Sequence, residues 1–166
     1  MRKSIVFAIL VGLASTSWAS EGDLLVDLSP TAVFQSTNHV SNPGMGGTLG
    51  LTWGFNDHTD IGGYFHFDNA DFDGTQNTIQ AYTFGVQSWF TPMSGDIRPQ
   101  VGGRMGLTYI EDYIDGSVSL DLAVQARVLA ELTTRARIFV GGEIGGDLGS
   151  GRRSFATVDF GLQFLL

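Results

Sequence analysis

The chain has no cysteine, and its only lysine is Lys3. Without cysteine there is no disulfide and no thiolate metal site, so packing, hydrogen bonds and ion pairs must hold the fold. Without lysine beyond the first residues, the usual water-facing coat of mixed Lys and Glu is missing. Long hydrophobic runs are missing too: after the first twenty residues no stretch of about 18 apolar residues occurs, which excludes a transmembrane helix. Membrane strands are not excluded, because their hydropathy is carried by alternate positions only. Positive charge is scarce, with 9 Lys and Arg against 17 Asp and Glu, which argues against nucleic acid as a partner. With three histidines, of which His58 and His66 stand singly, no three-ligand metal site and no cofactor is expected.

The first segment has the form of an export signal. Arg2 and Lys3 are its basic start, Ile5 to Leu13 its short apolar stretch, and Ser17-Trp18-Ala19 a small-residue cleavage site. The expected organisation is a signal peptide over 1–19 and a single domain over 20–166, of a size suited to one fold.

Within that domain apolar residues recur at every second position. From Ser154 to Leu166 they are Ala156, Val158, Phe160, Leu162, Phe164 and Leu166, against Thr157, Asp159, Gly161, Gln163 and Leu165. Period two is the signature of a strand with two unlike faces. The same alternation predicts strands near 24–34, 45–55, 61–68, 79–90, 97–109, 118–128 and 135–148. Polar loops are expected at 35–44, 69–78 and 111–117, and tight turns at 56–59, 91–96 and 131–134. Pro99 should lie near a strand's start or at a bulge, since it cannot donate to a ladder. The 23 glycines and the lack of any three-to-four spacing exclude a helical fold.

Eight such strands make an all-β, antiparallel up-and-down barrel, and the polar face decides which way it is turned. That face mixes Gly, Ala, Ser and Thr with Arg98, Arg104, Arg127, Arg135, Arg137, Asp121, Glu143, Asp147 and Asp159. Glycine weakens a strand without benefit on a wet surface, whereas a narrow eight-stranded lumen needs small residues beside long ones. The charged set is therefore expected inside as an ion-pair plug, and the apolar set outside against lipid. Trp53, Phe55, Trp89 and Phe90 fall at turn ends of strands, and Phe65, Phe67 and Tyr109 towards loop ends, as an interfacial aromatic girdle would.

In these features the chain resembles the small outer-membrane barrels of Gram-negative bacteria, the group of the OmpA transmembrane domain, OmpX and OmpW. The resemblance implies location in the bacterial outer membrane, contact with lipid and lipopolysaccharide, and a surface or envelope protein as a further partner. It also implies insertion by the barrel-assembly machinery, with Phe160, Leu162, Phe164 and Leu166 as the terminal recognition strand. The resemblance is architectural and is shared by proteins of different activities; the role expected for this chain is structural or interactive and non-enzymatic. Three alternatives stand beside it: a narrow porin-like transport pore, a soluble lipocalin-like ligand-binding barrel, and a lipid A acyl hydrolase. The last rests on His39-Val40-Ser41-Asn42, which resembles the His-x-Ser-Asn motif of lipid A deacylase barrels, with Ser41 as nucleophile and His39 as base. Read as local chemistry, the same residues before Pro43-Gly44 are ordinary turn formers. Acidic residues Asp71, Asp73, Glu111, Asp112 and Asp115 are read as a solvated loop rim or as holders of divalent cations.

Overall fold

The computed structural model describes residues 22–37, 40–71, 78–93, 95–111, 117–149 and 153–166. The segment read as a signal peptide, His39, Asp73, Asp112 and Asp115 lie outside the described residues. Eight strands follow one another: β1 (Leu24–Thr37), β2 (Val40–Asn56), β3 (Thr59–Asp71), β4 (Thr78–Phe90), β5 (Ile97–Glu111), β6 (Ser117–Thr133), β7 (Ala136–Leu148) and β8 (Ser154–Leu165). Each pairs antiparallel with its neighbours in sequence, and β8 returns to β1, so the sheet closes as a barrel with no free edge. At 12 to 17 residues, every strand exceeds the roughly 9–11 needed to cross a bilayer at a tilt.

Alternation sorts the side chains as an inside-out protein. On β6, Val124 is 72% exposed while its neighbour Gln125 is 6% exposed. Leu28, Leu49, Ile61, Phe84, Val101, Val124, Ile144 and Phe160, one from each strand, all face outward and exposed. A soluble monomer rarely exposes a contiguous apolar patch beyond a few hundred Å2, so this belt is a surface for hydrocarbon. The lumen holds Asp27, Asp68, Arg104, Asp121, Arg127 and Glu143, all buried.

Inward glycines are what let the lumen fill. A Cβ on Gly106 would stand 2.6 Å from the Tyr64 hydroxyl, and one on Gly85 would stand 2.8 Å from the same ring. Gly102 lies under the Trp89 ring, Gly145 under Phe155 and Gly161 under Phe139. These four lumen rings therefore lie on backbone that carries no side chain of its own, which is how a narrow barrel reaches interior packing density.

The strands run further than their sequence periodicity indicates. The expected loop at 35–44 is mostly ladder, with β1 and β2 paired as far as Thr37 and Val40. Asn42, Pro43 and Gly44 are turn formers by type, yet β2 meets β3 only from Gly44 onward, so Pro43 sits at a strand margin where its missing N–H costs no β2–β3 bond. The expected loop at 69–78 likewise shortens, because β3 reaches Asp71 and β4 begins at Thr78. Strand β6 extends to Thr133, past the expected turn start, through a register shift between Glu131 and Thr133. Pro99 is the third residue of β5, opposite Val128. Pro30 marks an irregularity in the closing seam: β1 pairs with β8 at Leu28↔Leu162 and again at Thr31↔Asp159, with Ser29 and Pro30 unpaired between.

Candidate functional site

The lumen is crossed by polar contacts at three levels. Nearest the loops, Arg153 donates from Nε to Asp147 at 2.7 Å and from Nη1 to both oxygens of Asp68 at 3.0 and 3.1 Å. Asp68 on β3 and Asp147 on β7 come from strands four apart in a ring of eight, so this guanidinium spans the full width of the mouth. Gln35 also donates to Asp68, and His66 connects Thr48 at 2.8 Å with Asp68 at 3.3 Å. Arg153 itself lies in the connection between β7 and β8, where Asp147 N–H donates to its carbonyl at 2.8 Å. Burial disfavours its charged form, but Asp68 and Asp147 outweigh that and hold its pKa above the ordinary guanidinium value.

At mid-height Arg104 serves two carboxylates. Its Nη2 lies 2.9 Å from Glu143, and its Nε lies 3.2 Å from Asp121 as an ion pair without linear hydrogen-bond geometry. Tyr64 of β3 donates to Asp121 of β6 at 3.1 Å, and Gln125 donates to Glu143 at 3.0 Å. The guanidinium is flanked by the Tyr64 and Phe155 rings, at 4.9 and 5.3 Å from their centroids.

Nearest the turns, Arg127 of β6 reaches Asp27 of β1 at 3.0 Å and Gln100 at 2.7 Å. Asp27 also accepts from Gln163, which in turn accepts from Arg137 at 2.7 Å. Arg127 stacks between Trp89 and Phe139, with its guanidinium carbon 4.0 and 4.8 Å from their ring centroids. Arg98 donates to the carbonyl of Gly95 in the β4–β5 turn.

Two expected positions are corrected. Trp89 is not a girdle residue: its strand sends Phe84, Val86 and Phe90 outward, so Trp89 points inward and is 5% exposed. Arg135 is not a lumen residue: it sits in the β6–β7 turn and is exposed, because the strand parity that would carry it inward begins only at Ala136. Asp159 does face the lumen but is half-buried, and it accepts from Thr157 at a long 3.5 Å. Arg153 is buried in the mouth although it follows a Gly- and Ser-containing connection, whose composition supplies no strand parity to place it.

Outward aromatics lie towards both ends of the wall and also at mid-strand, where Phe65, expected towards a loop end, is found with Phe84 and Phe160. Trp53, Phe55 and Phe90 are exposed near the turns, while Phe67 pairs with Tyr82 and Tyr109 is exposed towards the loops. Phe65 stacks on Phe84 at 4.7 Å between centroids. Phe160, Leu162 and Leu166 are exposed on the same side of the terminal strand, with Phe164 half-exposed beside them. Of the His39 and Ser41 motif, Ser41 lies in the ladder opposite Ser36. Glu111, at the end of β5, is exposed, and Asp71 ends β3. His58 lies exposed in a turn, against the carbonyl of Thr91 at 3.1 Å. No group of three or more metal-ligating side chains occurs among the described residues.

No family model matches the sequence, and no curated protein matches it. Solved structures do share its fold. Neisserial surface protein A superposes with a TM-score of 0.70 at 12% identity, over 86% of this chain and 97% of that one. Ail, the attachment invasion locus protein of Yersinia pestis, gives 0.55 at 11% identity over 88% and 99%. OprG, an outer membrane protein of Pseudomonas aeruginosa, gives 0.55 at 14% identity over 91% and 99%. The fold is thus the closed, eight-stranded barrel of small transmembrane outer-membrane proteins.

Proposed function

We propose that this chain is an integral barrel of the bacterial outer membrane, exported by a cleaved leader, whose lumen is a plug and whose work is done by its outer surface and loops. The observation that carries the reading is the set of buried guanidinium–carboxylate contacts crossing the lumen at three levels, inside a wall whose outer face is apolar. Eight strands leave just enough interior for side chains, and here charged pairs with their aromatic flanks take that space. The turns face the periplasm and the loops the exterior. The lipid-facing belt contacts outer-membrane lipid and lipopolysaccharide, and the terminal strand with Phe160, Leu162, Phe164 and Leu166 is presented to the assembly machinery. The role is structural or interactive and non-enzymatic, with a surface or envelope protein as partner.

Planar-bilayer recording of the folded barrel tests the plug. No conductance steps are expected at moderate voltage, and regular steps would replace the plug with a pore. Mass analysis of lipid A from cells with and without the protein tests the non-enzymatic reading, and loss of an acyl chain that Ser41→Ala abolishes would overturn it.

A further inference from the structure

We infer that the centre of the lumen is a built binding site for a single buried water molecule, which joins the turn-side and mid-height charge clusters. Between them lies a cavity of about 20 Å3, lined among others by Asp27, Trp89, Gln125, Arg127, Glu143 and Asp159. A polar chamber of that size admits water, which needs roughly 10–15 Å3. Three polar atoms of these lining residues are buried without a protein hydrogen-bond partner: Gln125 Oε1, Arg127 Nη2 and Trp89 Nε1. Gln125 and Arg127 are 6% and 5% exposed, so bulk solvent does not satisfy them. Asp159 keeps partial exposure although it lies mid-strand and faces inward, which places part of its surface on the same chamber.

The signs of these groups select the occupant. Arg127 Nη2 and Trp89 Nε1 are donors, one of them charged, and they repel a bare cation. Asp27, Glu143 and Asp159 are anionic and repel an anion. Gln125 Oε1 is an acceptor and needs a donor. Water meets all three demands, accepting from Arg127 or Trp89 and donating to Gln125 and Asp159. Gln125 already donates to Glu143, and Glu143 pairs with Arg104, while Arg127 pairs with Asp27. The water therefore turns two separate clusters into one hydrogen-bonded column.

The test is a high-resolution crystal structure of the detergent-folded full barrel, with further crystals soaked in rubidium chloride and in sodium bromide. The expected result is one solvent peak within hydrogen-bond distance of Gln125 Oε1 and Arg127 Nη2, with no anomalous signal from either soak. A rubidium or bromide peak there, or a chamber without density, would overturn the inference. In solution, the Trp89 indole proton should show a cross-peak to long-lived water that Gln125→Met removes and the outward Ser88→Ala leaves in place. Persistence of the cross-peak in a folded Gln125→Met barrel counts against the site. Should that variant not fold, the wild-type crystals decide alone.

Discussion

Replacing Arg104 by alanine removes the cation that, among the described residues, Asp121 and Glu143 share, and both carboxylates are almost fully enclosed. The loss is larger than that of two surface ion pairs, because the carboxylates remain in a low-dielectric interior with their countercharge gone. Breaking a buried pair by deleting one partner costs about 3–5 kcal/mol. Tyr64 and Gln125 still donate to the two carboxylates, so the lower half of that range is expected. The deletion also leaves a void between the Tyr64 and Phe155 rings, which adds to the cost. The assay is urea unfolding of the detergent-folded barrel, followed by tryptophan fluorescence and by the mobility of unboiled samples in gels. Arg135→Ala serves as the comparison, since that exposed turn residue should change stability by less than about 0.5 kcal/mol. A triple variant adding Asp121→Asn and Glu143→Gln removes the uncompensated charges and should recover part of the loss. An Arg104→Ala midpoint equal to that of Arg135→Ala would refute the claim that these charges are buried and mutually dependent.

Gly106→Val should destabilise the barrel by about 1–3 kcal/mol through overpacking, because the new side chain meets the Tyr64 hydroxyl and the Phe84 carbonyl, and a variant as stable as wild type in urea would count against Tyr64 lying there. Val124→Arg on the outer face should cost about 2–4 kcal/mol in lipid vesicles if it lies near the bilayer midplane, and a neutral effect would argue that this face meets water. Arg153→Ala should free the mouth of its cross-lumen tie and raise hydrogen exchange at the loop ends of β3 and β7 while the turn ends keep their protection; uniform exchange along both strands would contradict the layered arrangement.

Period-two alternation made the fold legible, and the glycines opposite the apolar face made its inversion legible. Lumen glycines lie under Tyr64, Trp89, Phe139 and Phe155, which is the physical content of that pattern. The pairings inside were not legible in the same way. Strand parity says that Arg104 and Asp121 face inward, but which carboxylate lies within 4 Å depends on the shear of the closed barrel, a property of the whole sheet. Arg153 was not legible because the composition around it gives no strand parity, and only closure of the mouth brings it over Asp68. Trp89 and Arg135 show two opposite errors. For Trp89, position near a strand end outweighed the parity of its own strand. For Arg135, parity was extended beyond the point where the strand begins.

The measurement that bears most directly on the account uses two tryptophans on opposite faces. Trp53 is outward and exposed, and Trp89 is inward and buried. Barrels beginning at Ser20 and carrying either Trp89→Phe or Trp53→Phe are folded into vesicles whose lipids are brominated close to the headgroups. The account predicts strong quenching of Trp53 and nearly none of Trp89. Equal quenching of both, or quenching of Trp89 alone, would mean that the wall is not turned with its apolar face to lipid and its charges within.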